Sequence, residues 1–216
     1  MKTIIINTSA RKNWNTAMML KGAKKGAEAA GAETEYIDLF DLDFSGCHSC
    51  MACKLKEAEK NRCYWNDDLS PLIDKILHAD CVIIGTPIYF WDVSAAFRAL
   101  LERLCFCTLS YDGNGHFLDR QVNVGLIYTM NTSEEGFETN VRPNVNNIEE
   151  MFAKFLKGKV MSCTAFRTLQ VNDYSKYCMA KFNEEERREG REKRFPEDIR
   201  KAYEMARELS SKPSDN

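Results

Sequence analysis

The chain has 216 residues, of which 44% are hydrophobic and 29% are charged, and its formal net charge is −2. These values are typical of one soluble globular domain and give no basis for a general attraction to nucleic acid. The most apolar run, at 81–91, is too short to span a bilayer, and the start of the chain lacks the apolar stretch of a signal peptide. We therefore expect a cytoplasmic protein with neither membrane nor nucleic-acid partners.

Strands and helices are predicted to alternate along the chain. Continuous apolar runs indicate buried strands, and the segments between them carry apolar residues at helical spacing. The predicted strands are 2–9, 33–39, 81–87, 122–130 and 160–171, and the predicted helices lie near 16–31, 72–77, 94–106 and 145–157. Such alternation predicts a parallel sheet with helices on both faces.

The last forty residues differ from the rest in their charge. The run at 184–194 is almost entirely charged and is typical of a solvated helix face. Pro196, Glu197 and Asp198 then mark the start of a helix with one apolar stripe, which we expect to pack on the sheet or on a partner subunit. We predict a main domain over 1–180, with a cysteine-containing loop at 44–66, and a helical extension over 181–216 that belongs to the same domain.

A ligand site is expected where the order of the sheet reverses. In a five-stranded sheet of order 2-1-3-4-5 this point lies between the first and third strands, outside their carboxyl ends. The loops at 9–16 and 86–91 follow those two strands, so the topology places them side by side.

The first of these loops suits an anion. Hydroxyl and amide donors come from Ser9, Asn13, Asn15 and Thr16, and Arg11 offers a planar, charged guanidinium. The loop also leads into the N-terminus of a predicted helix. Glycine-rich nucleotide motifs are absent from it, which disfavours a dinucleotide or P-loop site. An ordinary polar capping loop is the alternative interpretation.

The second loop suits a flat apolar ring. It is apolar and aromatic, although such residues are commonly core or interface residues. Together, the anion-binding first loop and this aromatic loop suit the two ends of flavin mononucleotide (FMN), its phosphate and its ring. The loop after the fourth predicted strand would complete the pocket. The candidate residues of the loops after the third and fourth predicted strands are Thr86, Pro87, Ile88, Tyr89, Phe90, Trp91, Thr129, Met130 and Asn131.

Three motifs together resemble a known family. The segments INTSARKNWNTA, GCHSCMACK and ADCVIIGTPIYFWDVSAAFRALLERL are similar, in this order, to the flavodoxin-fold NADPH-dependent FMN reductases and their iron–sulfur flavoprotein branch. The resemblance covers roughly residues 2–130. It implies a flavodoxin-like three-layer sandwich in which Ser9, Arg11, Asn15 and Thr16 hold the FMN phosphate and residues 86–90 contact the ring. It also implies NAD(P)H as co-substrate and a homodimer or homotetramer.

The four cysteines at 47–63 leave three interpretations open. Cys47, Cys50 and Cys53 have the spacing of a cluster-binding turn, and Cys63 is the natural fourth ligand of a [4Fe–4S] cluster. A zinc site and free structural or redox-active thiols are the alternatives. Because the segment follows the second strand, it leaves the sheet at the same edge as the two FMN loops.

The sequence therefore predicts an FMN-dependent oxidoreductase or electron-transfer flavoprotein. Electrons would pass from NAD(P)H or a protein donor to a quinone-like or other small acceptor, with or without an iron–sulfur cluster. The flavin would perform the chemistry, so no side chain is expected to act as acid or base. The alternative is a flavin-free, zinc-stabilised binding or regulatory domain of the same fold.

Overall fold

A parallel sheet lies at the centre of the computed structural model, which describes residues 1–113 and 115–212. Its strands are β1 (Lys2–Asn7), β2 (Glu33–Asp38), β3 (Cys81–Tyr89), β4 (Asp92–Val93), β5 (Val122–Thr129) and β6 (Lys157–Ala165). The described helices are α1 (Asn15–Ala29), α2 (Leu69–His78), α3 (Ala95–Thr108), α4 (Glu134–Asn140), α5 (Arg142–Leu156), α6 (Glu184–Lys193) and α7 (Phe195–Leu209). The fold is an α/β, flavodoxin-like fold with a parallel sheet.

The sheet has six strands, whereas the sequence analysis predicted five. The additional strand, β4, pairs antiparallel with Ile88 and Tyr89 at the end of β3. The main path therefore has the order β2-β1-β3-β5-β6, and β4 lies off it. A strand of two residues is too short to show a periodicity in the sequence, which is why it was not predicted.

The sheet is covered on both faces, so its central strands are buried on both sides. In β1, Ile4 and Ile6 belong to one core cluster and Ile5 to the other, and all three are fully buried. The first cluster is formed with α2, α3 and α5, and the second with α1 and α7. The strand is apolar at successive positions because successive side chains point to opposite, equally buried faces.

The C-terminal extension packs directly on α1. A Cβ atom built at Gly26 would lie 2.0 Å from the carbonyl oxygen of Tyr203, and one at Gly22 would lie 2.6 Å from Cγ2 of Ile199. The two helices approach this closely because α1 has no side chain at these positions. Residues 213–216 of the predicted extension lie outside the described residues.

The last strand is displaced from its predicted position at 160–171. β6 ends at Ala165, and the chain then leaves the sheet, with the backbone N–H of Thr168 donating to the carbonyl oxygen of Met130 over 3.0 Å. This departure brings residues 168–171 to the carboxyl edge of the sheet. Among the described helices, none has the length and apolar character needed to cross a membrane.

Candidate functional site

The loops after β1 and β3 lie side by side, as predicted. Asn7 pairs with Gly85 in the register of the two strands, and the Thr8 backbone N–H donates to the Gly85 carbonyl oxygen over 2.9 Å. The Ser94 hydroxyl, at the start of α3, donates to the Thr8 carbonyl oxygen over 2.9 Å. These contacts connect the two loops at the carboxyl edge of the sheet.

A cavity of about 250 Å³ lies between these loops. Ten of the fourteen predicted FMN-binding residues line it, and they come from all three loops that the sequence analysis singled out. Its lining residues are Ser9, Arg11, Trp14, Asn15, Thr16, Pro87, Ile88, Tyr89, Thr129, Met130, Asn131, Thr168, Gln170, Val171 and Met179.

Four predicted residues do not line this cavity. The side-chain oxygen of Asn13 accepts a hydrogen bond from Nζ of Lys21 over 2.9 Å on the surface. Thr86 is fully buried behind the cavity wall. Phe90 and Trp91 instead line a neighbouring cavity of about 430 Å³, which shares Ile88, Met130 and Asn131 with the first cavity.

One end of the first cavity is suited to an anion. Helix α1 begins at Asn15 and has no acidic residue in its first turn, and no side chain caps its start. The first backbone N–H groups of a helix have no partner within the helix, and the helix dipole is positive there. The Arg11 guanidinium lies beside them and uses one of its N–H groups on the Gln170 carbonyl oxygen, 2.6 Å away. The other N–H groups of the Arg11 guanidinium remain available to bind a phosphate.

The aromatic loop lies within electrostatic range of this cationic end. Partial burial lowers the pKa of Arg11, whereas the phenols of Tyr89 and Tyr177 act to raise it. Tyr89 is half-exposed, and Pro87 beside it is buried. A phosphorylated aromatic molecule therefore fits this cavity chemically, with its anion at α1 and its ring near Tyr89.

The turn between β3 and β4 has an unusual composition. Tyr89 pairs with Asp92, so Phe90 and Trp91 form a two-residue hairpin loop in which both residues have positive φ, 49° and 68°. Asparagine and glycine are the usual residues in such a turn. Phe90 is fully exposed and Trp91 is half-exposed. Two bulky aromatic side chains are thus held in a disfavoured backbone conformation at the edge of the second cavity.

One wall of the first cavity was missed by the sequence analysis. Thr168, Gln170, Val171 and Met179 come from the segment after β6, where a strand was predicted. The predicted strand already stopped before the turn-forming residues Asn172 and Asp173, so they give no sign of the earlier end at Ala165. Nothing in the local pattern indicates that the segment reaches back to the first loop.

The four cysteines of the predicted cluster motif line one small cavity of about 20 Å³. Cys47 and Cys50 are exposed, Cys63 is half-buried and Cys53 is buried. Burial raises the pKa of Cys53, and Lys54 partly opposes this effect. Among the described residues, no three cysteine, histidine, aspartate or glutamate side chains converge closely enough to hold one metal ion. A [4Fe–4S] cluster needs no such convergence, because each of its four thiolates binds a different iron.

A buried arginine adjoins these cysteines. The Arg103 side chain is 1% exposed and forms an ion pair with Asp67. Its Nη2 donates to Sγ of Cys63 over 3.3 Å and to Oγ of Ser70 over 2.6 Å. Its Nη1 also donates to the carbonyl oxygen of Ser45 over 3.3 Å. Arg103 therefore connects both ends of the cysteine loop to α3, and the sequence analysis did not single it out.

The cysteine loop lies along α3 rather than at the edge of the sheet. β2 does end at that edge, where Nδ2 of Asn7 donates to Oδ1 of Asp38 over 2.7 Å. The cysteines, however, pack against the second half of α3, around Arg103 and Phe106. Nine residues separate Ser94 from Arg103, which corresponds to about 13 Å along a helix axis. In agreement with this separation, the cysteine cavity and the first cavity have no lining residue in common.

Most of the remaining cysteines are packing residues. Burial raises the pKa of Cys81, Cys105 and Cys163 to about 12 in each case, so these thiols stay protonated and unreactive at neutral pH. Cys107 is also buried, whereas Cys178 is exposed.

The fold and the edge cavity define an α/β, flavodoxin-like protein with a cavity whose lining suits a phosphorylated ring compound. The sequence model for NADPH-dependent FMN reductase matches residues 1–141, and the chain belongs to this family. It is 36% identical over 103 residues to an iron-sulfur flavoprotein of Methanocaldococcus jannaschii, which covers 48% of this chain and 51% of that one. It is 34% identical over 103 residues to an iron-sulfur flavoprotein of Archaeoglobus fulgidus, with 48% of each chain covered. The chain thus spans about half the length of the curated relatives it matches.

Solved structures share the fold along nearly the whole chain. An NAD(P)H:quinone oxidoreductase from Methanothermobacter marburgensis is similar with a TM-score of 0.72 and 15% identity, covering 99% of this chain and 98% of that one. An azoreductase from Bacillus anthracis is similar with a TM-score of 0.65 and 12% identity, covering 96% and 99%. At these identities the likeness concerns the fold alone.

Proposed function

We propose that this chain is an FMN-dependent oxidoreductase whose cofactor occupies the cavity between the loops after β1, β3 and β5. The single observation that carries the proposal is that the N-terminus of α1 with Arg11 and the Pro87–Tyr89 segment line the same cavity. Membership of the FMN reductase family supports this assignment.

The FMN phosphate would bind at the start of α1. The backbone N–H groups of the first turn would donate to it, together with Ser9, Arg11, Asn15 and Thr16. Asn13 would contribute backbone rather than side-chain contacts, because its side chain is engaged by Lys21.

The flavin ring would lie beside Pro87, Ile88 and Tyr89, with Met130 and Asn131 along its other edge. Bound FMN would supply hydride and electron transfer, which no side chain of this cavity can perform. The protein would position the ring, exclude water from one face and donate hydrogen bonds to it. Thr86 would act indirectly, because it lies buried behind the loop.

The electron donor is proposed to be NAD(P)H and the acceptor a quinone-like or other small molecule. The second cavity, with Phe90, Trp91 and Phe182 along its wall, offers an apolar surface for such an acceptor next to the ring site. The name of the family supports a reduced nicotinamide as the electron donor.

The cysteine loop is proposed to bind a [4Fe–4S] cluster, for which the loop would have to open, because its present cavity of about 20 Å³ has room for roughly one water molecule. Cys47, Cys50, Cys53 and Cys63 line one cavity, and the two relatives described above are named iron-sulfur flavoproteins. The ligand spacing favours a cluster over zinc, because structural zinc sites typically draw two separated pairs of ligands, whereas three of these cysteines lie within seven residues.

Spectroscopy of the protein purified without oxygen tests both assignments. Two-banded flavin absorption and oxidation of NAD(P)H in the presence of a quinone would support the oxidoreductase. A broad brown shoulder, with iron and sulfide in equal amounts, would support the cluster. Colourless protein that takes up zinc and fails to bind added FMN would instead support the flavin-free alternative.

We propose a homodimer or homotetramer, as the family resemblance implies, which light scattering of the purified protein would measure. None of the nine cysteines, all of which lie among the described residues, is paired in a disulfide, which agrees with the reducing, cytoplasmic environment that we propose.

A further inference from the structure

The segment after β6 is attached to the phosphate loop by three hydrogen bonds. The Leu169 carbonyl oxygen accepts from Nε1 of Trp14 over 2.9 Å and from Nδ2 of Asn15 over 2.8 Å. The Gln170 carbonyl oxygen accepts from Nη1 of Arg11 over 2.6 Å. Side chains of the first loop thus hold the backbone of this segment as a wall of the cavity, although the segment lies beyond the residues that match the family.

The backbone of Gln170 is fixed from both sides. Its N–H donates to the Tyr174 hydroxyl over 3.1 Å, and its carbonyl oxygen is held by Arg11. Leu169 before it and Tyr174 after it are each only 6% exposed. The backbone that carries the Gln170 side chain is therefore held in place at the cavity and is not a free loop.

The side-chain oxygen of Gln170 is buried and has no hydrogen-bond partner within the described structure. A buried amide oxygen without a partner costs free energy, so such an atom is expected to accept a hydrogen bond from a bound molecule. The partner must carry a donor. A phosphate offers only acceptors at neutral pH, whereas a hydroxyl group can donate.

We propose that Gln170 is a specificity-determining residue that accepts a hydrogen bond from a hydroxyl group next to the anionic end of the ligand. The site then selects a phosphorylated polyol attached to a ring, and not a phosphate or a ring alone. In FMN the matching groups are the hydroxyls of the ribityl chain. This inference rests on the proposed function, since it assigns a contact to the same ligand.

Gln170→Met tests the assignment, because methionine keeps the length of the side chain and removes the amide. We expect the dissociation constants of both FMN and riboflavin to rise by about tenfold, since both carry the ribityl chain. Gln121→Met, the same change at an exposed glutamine away from the cavity, should alter neither constant. Fluorescence quenching of the flavin measures the binding, and thermal melting shows whether each variant is folded.

Gln170→Glu separates the hydroxyl contact from a phosphate contact. Glutamate keeps an acceptor oxygen but adds a negative charge near the phosphate, so riboflavin binding should be retained while FMN binding weakens. A loss confined to FMN in the Gln170→Met variant would overturn the proposal, because the amide would then contact the phosphate. Unchanged binding of both flavins would overturn it as well. Failure of the natural chain to bind FMN would instead contradict the proposed function itself.

Discussion

The hydroxyl groups of Thr16 and Thr129 lie 2.7 Å apart, although 113 positions separate the two residues. Thr16 belongs to the first turn of α1, and Thr129 is the last residue of β5. Both are buried and both line the first cavity. This hydrogen bond fixes the phosphate loop relative to the loop that lies at the ring end.

Thr16→Val should weaken this connection without changing the shape of the side chain. The variant leaves the buried Thr129 hydroxyl without its partner, so we expect the free energy of unfolding to fall by about 1–2 kcal/mol. FMN affinity should also fall. Urea denaturation and flavin titration measure the two effects, and Thr16→Ser should restore most of both. A valine variant as stable as the natural chain would show that the bond contributes nothing.

Arg11→Ala should distinguish FMN from riboflavin. A charge-assisted hydrogen bond contributes about 1.5–3 kcal/mol, so FMN affinity should fall roughly tenfold to a hundredfold. Riboflavin affinity should fall less, and only because Arg11 also holds the carbonyl oxygen of Gln170. Lys12→Ala is the matched control, because Lys12 is the neighbouring cation and pairs with Asp41 outside the cavity. Equal losses for the two flavins would contradict a phosphate role for Arg11.

Replacing Phe90 and Trp91 by asparagine and glycine should stabilise the fold and impair turnover. Asn-Gly suits a hairpin loop with two positive φ angles, so the free energy of unfolding should rise by about 1–2 kcal/mol. Loss of the aromatic rings should lower kcat/KM for a quinone such as menadione without releasing FMN. Tyr111→Asn, at another exposed aromatic residue, serves as the control. An unchanged kcat/KM for the quinone would contradict the proposal that this turn helps to bind the electron acceptor.

Arg103→Met should be strongly destabilising. The change leaves the largely buried Asp67 carboxylate without its ion pair and removes the donor to Cys63, and breaking a buried pair costs about 3–5 kcal/mol. Arg98→Met is the comparison, because its ion pair with Asp92 is about one-third exposed and should contribute less than 1 kcal/mol. Similar losses in chemical denaturation for the two variants would contradict the structural role of Arg103.

Asp198→Asn should change how stability depends on pH. Burial raises the pKa of Asp198 to about 6, while Lys201, 3.9 Å away, acts to lower it. Because the folded-state pKa is raised, Asp198 lowers stability as pH rises from about 4 to about 6. The variant should therefore exceed the natural chain in stability by about 3 kcal/mol at pH 7 and nearly match it at pH 4. Urea denaturation at both pH values checks this, and a stability difference that is the same at both pH values would contradict it.

Local sequence patterns were sufficient to predict the fold class and ten residues of the cavity. Buried parallel strands are apolar along their whole length, as at Ile4, Ile5 and Ile6, and this pattern is visible without any structure. Once the strand order is inferred from the fold class, the loops after β1 and β3 must be neighbours. The polar first loop and the aromatic third loop then identify the edge of the sheet where a ligand would bind.

Only the tertiary structure determined the features that depend on distant contacts. The end of β6, the wall at Gln170, the approach of Arg103 to Cys63 and the position of the cysteines along α3 all join segments far apart in the chain. A side chain such as Arg103 has the same local sequence context whether it faces water or a buried thiol. Its role is decided by which segments pack against it, and the free energy of that packing depends on the whole fold.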